Sequence, residues 1–348
     1  MTTYQHLSVG EIEALALRAL IASNVSEDNA AAVARSIALA ERDGQKIVGL
    51  SYLPTYCDHA ACGKVDGHAR PIVERASTVA IKVNANAGFA HPALRLGMSE
   101  LADAAAAHGI AMLAVGNSYA CGSLGYFVEE LAESGLLAIM FANASPSMAA
   151  YGGKAPFFGT NPVAFAAPRA NAAPLVIDQS SSVAAKVAVI DTFRRGDALP
   201  EGWALDQYGR PTTDAALAME GSLLPIGGYK GAGLALMVDI LAGGLTQSHF
   251  SFEAPSFGDV EGGPPRTGQL IVAINPAVFG GGNFTERMEA LLTAMLASGD
   301  GVRLPGAQRV ASRLSHQHGM DVPIHIIETL EMYAANGSPL MPSSNTKA

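Results

Sequence analysis

Apolar residues recur at helical spacing in the first forty positions of the chain. Ser8 followed by Glu11 is a capping-box pattern ahead of EIEALALRALIAS, which predicts a first helix there. Ser26 opens a second helical run, EDNAAAVARSIALAERDG, that ends near Gly44. Residues 1–75 therefore read as mostly helical. The period then changes. A strand is expected at Val79–Val83, a helix at His91–His108, and a strand at Ile110–Val115. A polar loop, residues 116–123, precedes a helix running to about Ser134, with Gly135 as its stop and Leu136–Phe141 as the next strand. Short apolar runs, Val163–Ala167 and Pro174–Ile177, sit between turn-rich segments, which favours an antiparallel or mixed sheet. Residues 196–214 read as an ordered excursion. Gly231–Leu245 is expected as a helix, Gln269–Ile274 as a strand, and Phe284–Ser298 and His325–Asn336 as helices, ahead of a polar tail, PSSNTKA, expected to fray. The expected organisation is a helical part, residues 1–75, joined by C-terminal helices within 311–340. An α/β part, residues 76–310, carries a small excursion at 190–220.

Composition narrows the class. A chain of 348 residues, 49% hydrophobic and only 15% charged, can bury several layers of side chains and form broad subunit contacts. The net charge of −9 argues against a nucleic-acid surface. Cys57, Cys62 and Cys121 are odd in number, and the C-x4-C pair has no second pair. That spacing predicts reduced thiols in a cytoplasmic protein and neither a zinc site nor a disulfide framework. The N-terminus reads as a helix start, not a signal peptide, and apolar runs such as residues 135–142 are strand length, so no membrane span is expected.

The familiar signatures of dinucleotide, nucleotide, serine-nucleophile and zinc sites are absent: no G-x-G-x-x-G follows a strand, and there is no G-x4-G-K-[ST], G-x-S-x-G or H-E-x-x-H. None of the nine histidines pairs with another at i+3 or i+4 beside a carboxylate, so no metal is expected. What remains is a set of polar-glycine segments. Gly159-Thr160-Asn161-Pro162 places a hydroxyl and an amide in a tight turn. Asp178-Gln179-Ser180-Ser181-Ser182 reads as a helix start directly after a strand, suited to an anion such as a cofactor phosphate or, equally, to a plain N-cap. Gly227-Gly228-Tyr229-Lys230-Gly231 carries a lysine on a glycine-flanked turn into a helix, where backbone can approach a ligand.

Taken in order, these segments resemble the malate/L-lactate/sulfolactate dehydrogenase-like, non-Rossmann family of NAD(P)-dependent oxidoreductases. The matching stretches are ERDG at 41–44, LPTY at 53–56, GTNP at 159–162, DQSSS at 178–182, LPEGWALDQYGRPTTD at 199–214, GGYKG at 227–231 and LPG at 304–306. FEAPSFGDVEGGPPRTGQL at 252–270 resembles the sulfolactate dehydrogenase branch. The resemblance implies a non-Rossmann NAD(P)-binding α/β fold on a mostly antiparallel mixed sheet, with a helical domain. It also implies homodimers, NADP or NAD as cofactor, and a small 2-oxo acid or cyclic imine as substrate. By motif matching it places Thr160 and Val48 near substrate. Ala120, Asn161, Asp178, Gln179, Ser180, Lys230, Gly306 and Arg309 would lie along the cofactor, with Arg309 as a candidate partner for a 2′-phosphate.

The resemblance also marks a departure. Where the family carries Ser-His-Gly and, four residues beyond the His, an Arg, this chain has Ile47, Val48 and Tyr52; where it carries S-H-H-x-G, this chain has Tyr119 and Ala120. Aliphatic groups transfer no proton, and loss of the Arg removes bidentate recognition of a carboxylate. Tyr52, Tyr119 and Lys46 are the replacements on hand, a tyrosine serving as acid if an ammonium lowers its pKa. Poor turnover of malate, lactate and sulfolactate is therefore expected, and an imine, already protonated in solution, would need no strong protein acid. The alternative is a catalytically silent nucleotide- or metabolite-binding homodimer of the same fold.

Overall fold

The computed structural model describes residues 3–341, so the 342–348 tail lies outside the described residues. The chain starts with β1 (Tyr4–Leu7), α1 (Val9–Ala22) and α2 (Glu27–Arg42), then two short 3-10 turns, Lys46–Val48 and Leu50–Tyr52, that lead into α3 (Leu53–Ala61). The capping box forms: Glu11 N–H donates to Ser8 Oγ at 3.2 Å, and Ser8 N–H to the Glu11 carboxylate at 2.8 Å. Next come β2 (Ile72–Arg75), β3 (Ala80–Asn84), α4 (Ala90–His108), β4 (Ile110–Ser118), α5 (Leu124–Glu133) and β5 (Leu137–Ala142). Short strands follow, β6 (Met148–Ala149), β7 (Pro156–Phe158), β8 (Val163–Ala167) and β9 (Leu175–Gln179), then α6 (Lys186–Arg195), β10 (Ala204–Leu205), β11 (Pro211–Thr212), α7 (Ala215–Glu220) and β12 (Ser222–Leu223). α8 (Tyr229–Val238) continues as a π-helical turn, Asp239–Gly244. The chain closes with β13 (Thr267–Ile274), α9 (Pro276–Gly280), α10 (Phe284–Leu296), α11 (Ala307–Ser315), β14 (Met320–Pro323) and α12 (Ile324–Asn336).

Seven strands form the main sheet in the order β2-β3-β4-β13-β5-β8-β9. The β3–β4 pair is parallel and every other pair antiparallel, so the sheet is mixed and mostly antiparallel, as expected. Its middle strands are apolar on both faces because both faces are covered. On one side α4 and α5 bury Leu94, Leu101 and Phe127 against Leu113 and Ile271. On the other, α8 and its π-helical turn bury Val238 and Ala242 against Phe141 and Leu270. A smaller sheet, β11-β10-β12-β6-β7, forms around the 196–214 excursion and packs Met148, Phe158 and Leu223 against Val189 and Ala218 of α6 and α7.

The helical layer holds Ile12, Leu20, Ile37 and Leu53 against Leu330 of α12. β1 pairs antiparallel with β14, Tyr4 opposite Pro323 and Leu7 opposite Met320, which ties the two ends of the chain together. Local pattern could not show β1: its sequence, YQHL, is mostly exposed, and only the partner strand makes it a strand.

The segment from Asp178 corrects a sequence reading. Asp178 and Gln179 do not start a helix; they pair with Ala164 and Val163 of β8, and helix returns only at Lys186. Ladder hydrogen bonds to β8 outweigh the local capping tendency of Asp and Ser. The helix expected at Gly231–Leu245 starts two residues earlier and widens at Asp239, whose carboxylate turns inward to accept from Asn143 Nδ2 at 3.0 Å and Ser251 Oγ at 2.9 Å. β4 runs on through Ser118, so the first three residues of the expected loop at 116–123 are strand.

Candidate active site

Ser181 joins the polar-glycine segments. Its N–H donates to Thr160 carbonyl at 2.7 Å, its Oγ donates to Asn161 carbonyl at 2.7 Å, and its own carbonyl accepts from Ile226 N–H at 2.9 Å. Val183 N–H reaches Leu224 carbonyl at 2.9 Å, continuing the seam. Gly231 is glycine because a Cβ there would lie 2.3 Å from Ile226 O and 2.9 Å from Ser181 O. GTNP, DQSSS and GGYKG, far apart in sequence, therefore form one bed. Asn161 is fully buried and holds that bed from below: its Nδ2 donates to Ala235 carbonyl at 3.0 Å, and its Oδ1 accepts from Ser251 Oγ at 3.1 Å. Asp178, Gln179 and Lys230 are exposed, Thr160 and Ser180 partly so. Among the described residues Lys230 is in no ion pair. A cavity of about 540 Å³ opens beside the bed, walled by Tyr151, Lys154, Val183, Pro225, Gly227 and Gly228.

The tyrosines lie in an aromatic chamber. Tyr119 follows β4 and is wholly buried; its ring meets Phe257 at 5.1 Å, Phe89 at 5.7 Å and Tyr56 at 5.9 Å. Tyr52 is partly exposed and packs edge-on to Tyr56 at 4.8 Å. Ser118 and Gln269 fix the backbone: Gln269 Nε2 donates to Tyr119 carbonyl at 3.2 Å, and Ser118 Oγ donates to Gln269 Oε1 at 2.7 Å. The Tyr119 hydroxyl is hydrogen-bonded to His59 Nδ1. Burial pushes Tyr52 up to about 12, the Tyr119 hydroxyl pulling the other way, and burial raises Tyr119 and Tyr56 further. Among the described residues no lysine contributes to the Tyr52 shift. Lys46 is exposed, and its charge bears on Glu41, so the tyrosine–ammonium pairing is not formed. Val48 sits partly buried in the 3-10 turn before Tyr52, and Ala120 partly buried after Tyr119.

The loop carrying Phe257 is tied down by Lys64. Its buried ammonium donates to Asp259 carbonyl at 2.7 Å, Asp259 Oδ1 at 3.2 Å and Glu261 carbonyl at 2.5 Å. Spacing gave no signal for Lys64 or for His59; both depend on chain crossings that only the fold creates.

The 304–310 segment resolves into a turn and α11. Gly306 sits at φ +76, where a Cβ would lie 2.8 Å from Val176 O. A cavity of about 380 Å³ is lined there by Arg169, Leu175, Arg303, Leu304, Gly306 and Val310. Arg309 faces the other way. Its Nε donates to Asp43 Oδ2 at 2.8 Å, and its Nη2 lies 3.3 Å from Glu129 Oε2. Arg313 joins both carboxylates at 2.8 and 2.9 Å. The Arg309 charge is thus already matched inside the protein, although its Nη1 is buried without a partner. Gly125 leaves room for it: a Cβ there would lie 2.3 Å from Arg309 Nη1 and 2.9 Å from Asp178 Oδ2. Asp178 caps the start of α5, accepting from Gly125 N–H at 2.7 Å and Ser123 Oγ at 3.0 Å. Among the described residues no three His, Cys, Asp or Glu side chains are grouped to hold a metal ion, and no helix is long and apolar enough to cross a membrane.

Residues 7–331 match the family model described as malate/L-lactate dehydrogenase. The chain is 45% identical over 330 residues, 95% of its length and 98% of the relative's, to a (2R)-3-sulfolactate dehydrogenase (NADP(+)) of Chromohalobacter salexigens. It is 38% identical over 335 residues, again 95% and 98% of the two chains, to a Δ1-pyrroline-2-carboxylate reductase of Ancylobacter novellus. Among solved structures, Δ1-piperideine-2-carboxylate reductase from Pseudomonas syringae pv. tomato superposes with a TM-score of 0.90 at 36% identity, covering 94% of this chain and 99% of that one.

Proposed function

The chain belongs to the malate/L-lactate dehydrogenase family, and from that membership we propose that it is an NADP- or NAD-dependent oxidoreductase acting on CH–OH or CH–NH groups. Its substrate is a small 2-oxo acid or cyclic imine, or the matching hydroxy or amino acid. The observation that carries the reading is the bed built by Ser181, which brings three cofactor-type segments together beside open space. Names carried by similar proteins, an NADP(+)-linked hydroxy-acid dehydrogenase and a cyclic-imine reductase, support the reaction class.

The residues present fit a phosphate-bearing dinucleotide. Lys230 is an unmatched cation at the bed, Ser180 a hydroxyl beside it, and Asp178 and Gln179 exposed acceptors at the end of β9. The cavity at Leu304–Val310 suits the adenosine end, and Arg303 on its wall is a better phosphate partner than Arg309, whose charge is matched by Asp43 and Glu129. When bound, the reduced cofactor supplies a hydride. The protein's own residues do the rest. Tyr52, partly exposed beside Val48, offers its hydroxyl to the substrate, and with a pKa near 12 it stays protonated at neutral pH. Thr160, beside Ser181, orients the substrate. Phe257, held by Lys64 through its loop, keeps water out of the chamber.

The helical part, residues 1–75 with 311–340, and the cofactor-binding part, residues 76–310, are the two units of this proposal. The working form is a cytoplasmic homodimer. Leu236, Met237, Ile240 and Leu245 project from α8 and its π-helical turn at 42–55% exposure, an apolar face suited to a second copy of the chain. The test is to follow NADPH and NADH oxidation against a panel of 2-oxo acids and cyclic imines, with cofactor binding measured by calorimetry. Turnover of one class supports the reading. Binding without turnover would favour the silent nucleotide-binding homodimer, and no binding of either cofactor would remove the oxidoreductase reading.

A further inference from the structure

We infer that His59 is a positioning residue that stores the reaction's proton, taking it through Tyr119 when a hydroxy acid is oxidised and returning it when a 2-oxo acid is reduced. The inference rests on the oxidoreductase reading above and deepens it.

His59 lies on α3 and Tyr119 directly after β4, and the fold brings them into one hydrogen bond with 2% and 0% of their surfaces exposed. A hydroxyl and an imidazole out of water must be paired, and these are paired with each other. Tyr52 joins the same cluster from its partly exposed edge: its ring packs edge-on to Tyr56 at 4.8 Å, and the Tyr56 ring lies 5.9 Å from that of Tyr119. Tyr52 is thus the partly exposed member of the three, and Tyr119 and His59 are both buried. Polar groups face His59 from every side: Asp58 on its own helix, Lys64 just beyond that helix, the carboxylate and backbone of Asp259 on the strapped loop, and Tyr119. The second chamber histidine, His91, has no comparable chain; its Nδ1 is without a partner, and its ring packs on Tyr56 and Phe127.

In oxidation, a bound nicotinamide cofactor would take up the hydride from the substrate carbon, while the substrate's hydroxyl proton passes to Tyr52. The Tyr52 proton moves to Tyr119, and the Tyr119 proton moves to neutral His59 Nδ1, giving an imidazolium. In reduction the same three protons shift the other way as the new C–H bond forms. A protonated cyclic imine gains only the hydride and leaves the relay unused. The relay thus separates two substrate classes within one site.

His59→Asn tests this, since its side-chain oxygen can still accept from Tyr119 but cannot carry a proton onward. The wild-type and His59→Asn enzymes are assayed with a 2-oxo acid and with a cyclic imine, and NADPH binding is measured to confirm the fold. The expected result is a fall of about 10²-fold in kcat for the 2-oxo acid, with KM and imine turnover little changed. Burial and the Lys64 charge lower the His59 pKa below its ordinary 6.5, so the wild-type hydroxy-acid oxidation rate should fall as pH drops through that lowered pKa, and this limb should vanish in the variant. An activity-independent readout is the His59 resonance in a ¹⁵N-histidine spectrum, whose titration midpoint should move in Tyr119→Phe. Equal 2-oxo-acid rates and pH profiles in wild type and His59→Asn overturn the relay, as does a His59 titration indifferent to Tyr119→Phe. A wild-type enzyme that reduces imines but no 2-oxo acid overturns the relay and leaves the oxidoreductase reading standing. A wild-type enzyme with no turnover at all removes both.

Discussion

Arg309 Nε donates to Asp43 Oδ2 across 2.8 Å, joining a helix near the end of the chain to the Asp-Gly pair that closes α2. Arg42 and Arg313 share the same carboxylate, and Glu129 completes the cluster. Burial alone would raise the Asp43 carboxyl. The hydrogen bonds from Arg313 and Arg42, with the charges of Arg309 and Arg313, outweigh it and hold the pKa at about 2.

The cluster sets the acid behaviour of the fold. The folded pKa of Asp43 lies below its ordinary 3.8, so its stabilisation is fully present above pH 3.8 and is lost as pH falls from there through about 2. The shift corresponds to on the order of 2 kcal/mol. Asp43→Asn should therefore flatten the fall in stability over that window. At neutral pH it should destabilise the protein by about 3–5 kcal/mol, because Arg309 and Arg313 are left with the Glu129 carboxylate alone. Chemical denaturation at pH 7 and pH 3 checks both.

Cofactor choice should follow Arg303 rather than Arg309. Arg303→Ala removes one candidate charge-assisted phosphate contact, worth about 1.5–3 kcal/mol, and should weaken NADPH by roughly 10- to 100-fold while sparing NADH. Arg309→Met should lower thermal stability and change the two affinities together. A selective loss of NADPH in Arg309→Met would return the 2′-phosphate to that residue.

Tyr52 should act as a neutral donor over the working pH range. With its pKa near 12, no rate limb from Tyr52 is expected between about pH 7 and 10, and Tyr52→Phe should lower turnover without moving the profile there. Val48→His with Tyr52→Arg should raise turnover of malate, lactate or sulfolactate by at least about tenfold, through a carboxylate clamp and an acid–base group. Ordinary enzyme rates with those acids in the unmodified protein would show that these positions do not direct specificity.

Lys64 should hold the Phe257 loop closed. Lys64→Met leaves the Asp259 and Glu261 carbonyls without the Lys64 donor and the Asp259 carboxylate with only the Glu261 N–H, a loss of about 1–3 kcal/mol. The variant should be cut by protease within 258–263 faster than the parent, with a raised KM. Unchanged proteolysis would mean that the loop is held by its apolar contacts alone.

The apolar face of α8 should be the subunit contact. Leu236→Glu with Ile240→Glu places two charges on it and should convert a dimer to a monomer in light scattering. A parent protein already monomeric at micromolar concentration would contradict the assignment.

Much of this molecule was legible along the chain, because local signals decide what neighbours in sequence do. The Ser8–Glu11 capping box, the long amphipathic helices and the apolar core strands arise from spacing alone, and their ends fall within a few residues of the pattern. The ordered segments GTNP, DQSSS and GGYKG carried the family, which the match over residues 7–331 bears out. The remainder was decided by contacts between distant residues. Asp178 looked like a helix cap by itself and became a strand because Ala164 pairs with it. Tyr4–Leu7 became a strand because Met320–Pro323 lies alongside. Arg309 looked available to a phosphate until Asp43 and Glu129, 266 and 180 positions away, matched its charge. His59 carried no motif at all and acquired a partner only when α3 met the end of β4. Hydrophobic periodicity reports which face of an element is buried. Which polar groups then meet inside is set by packing between elements, where leaving a buried polar group without a partner is costly.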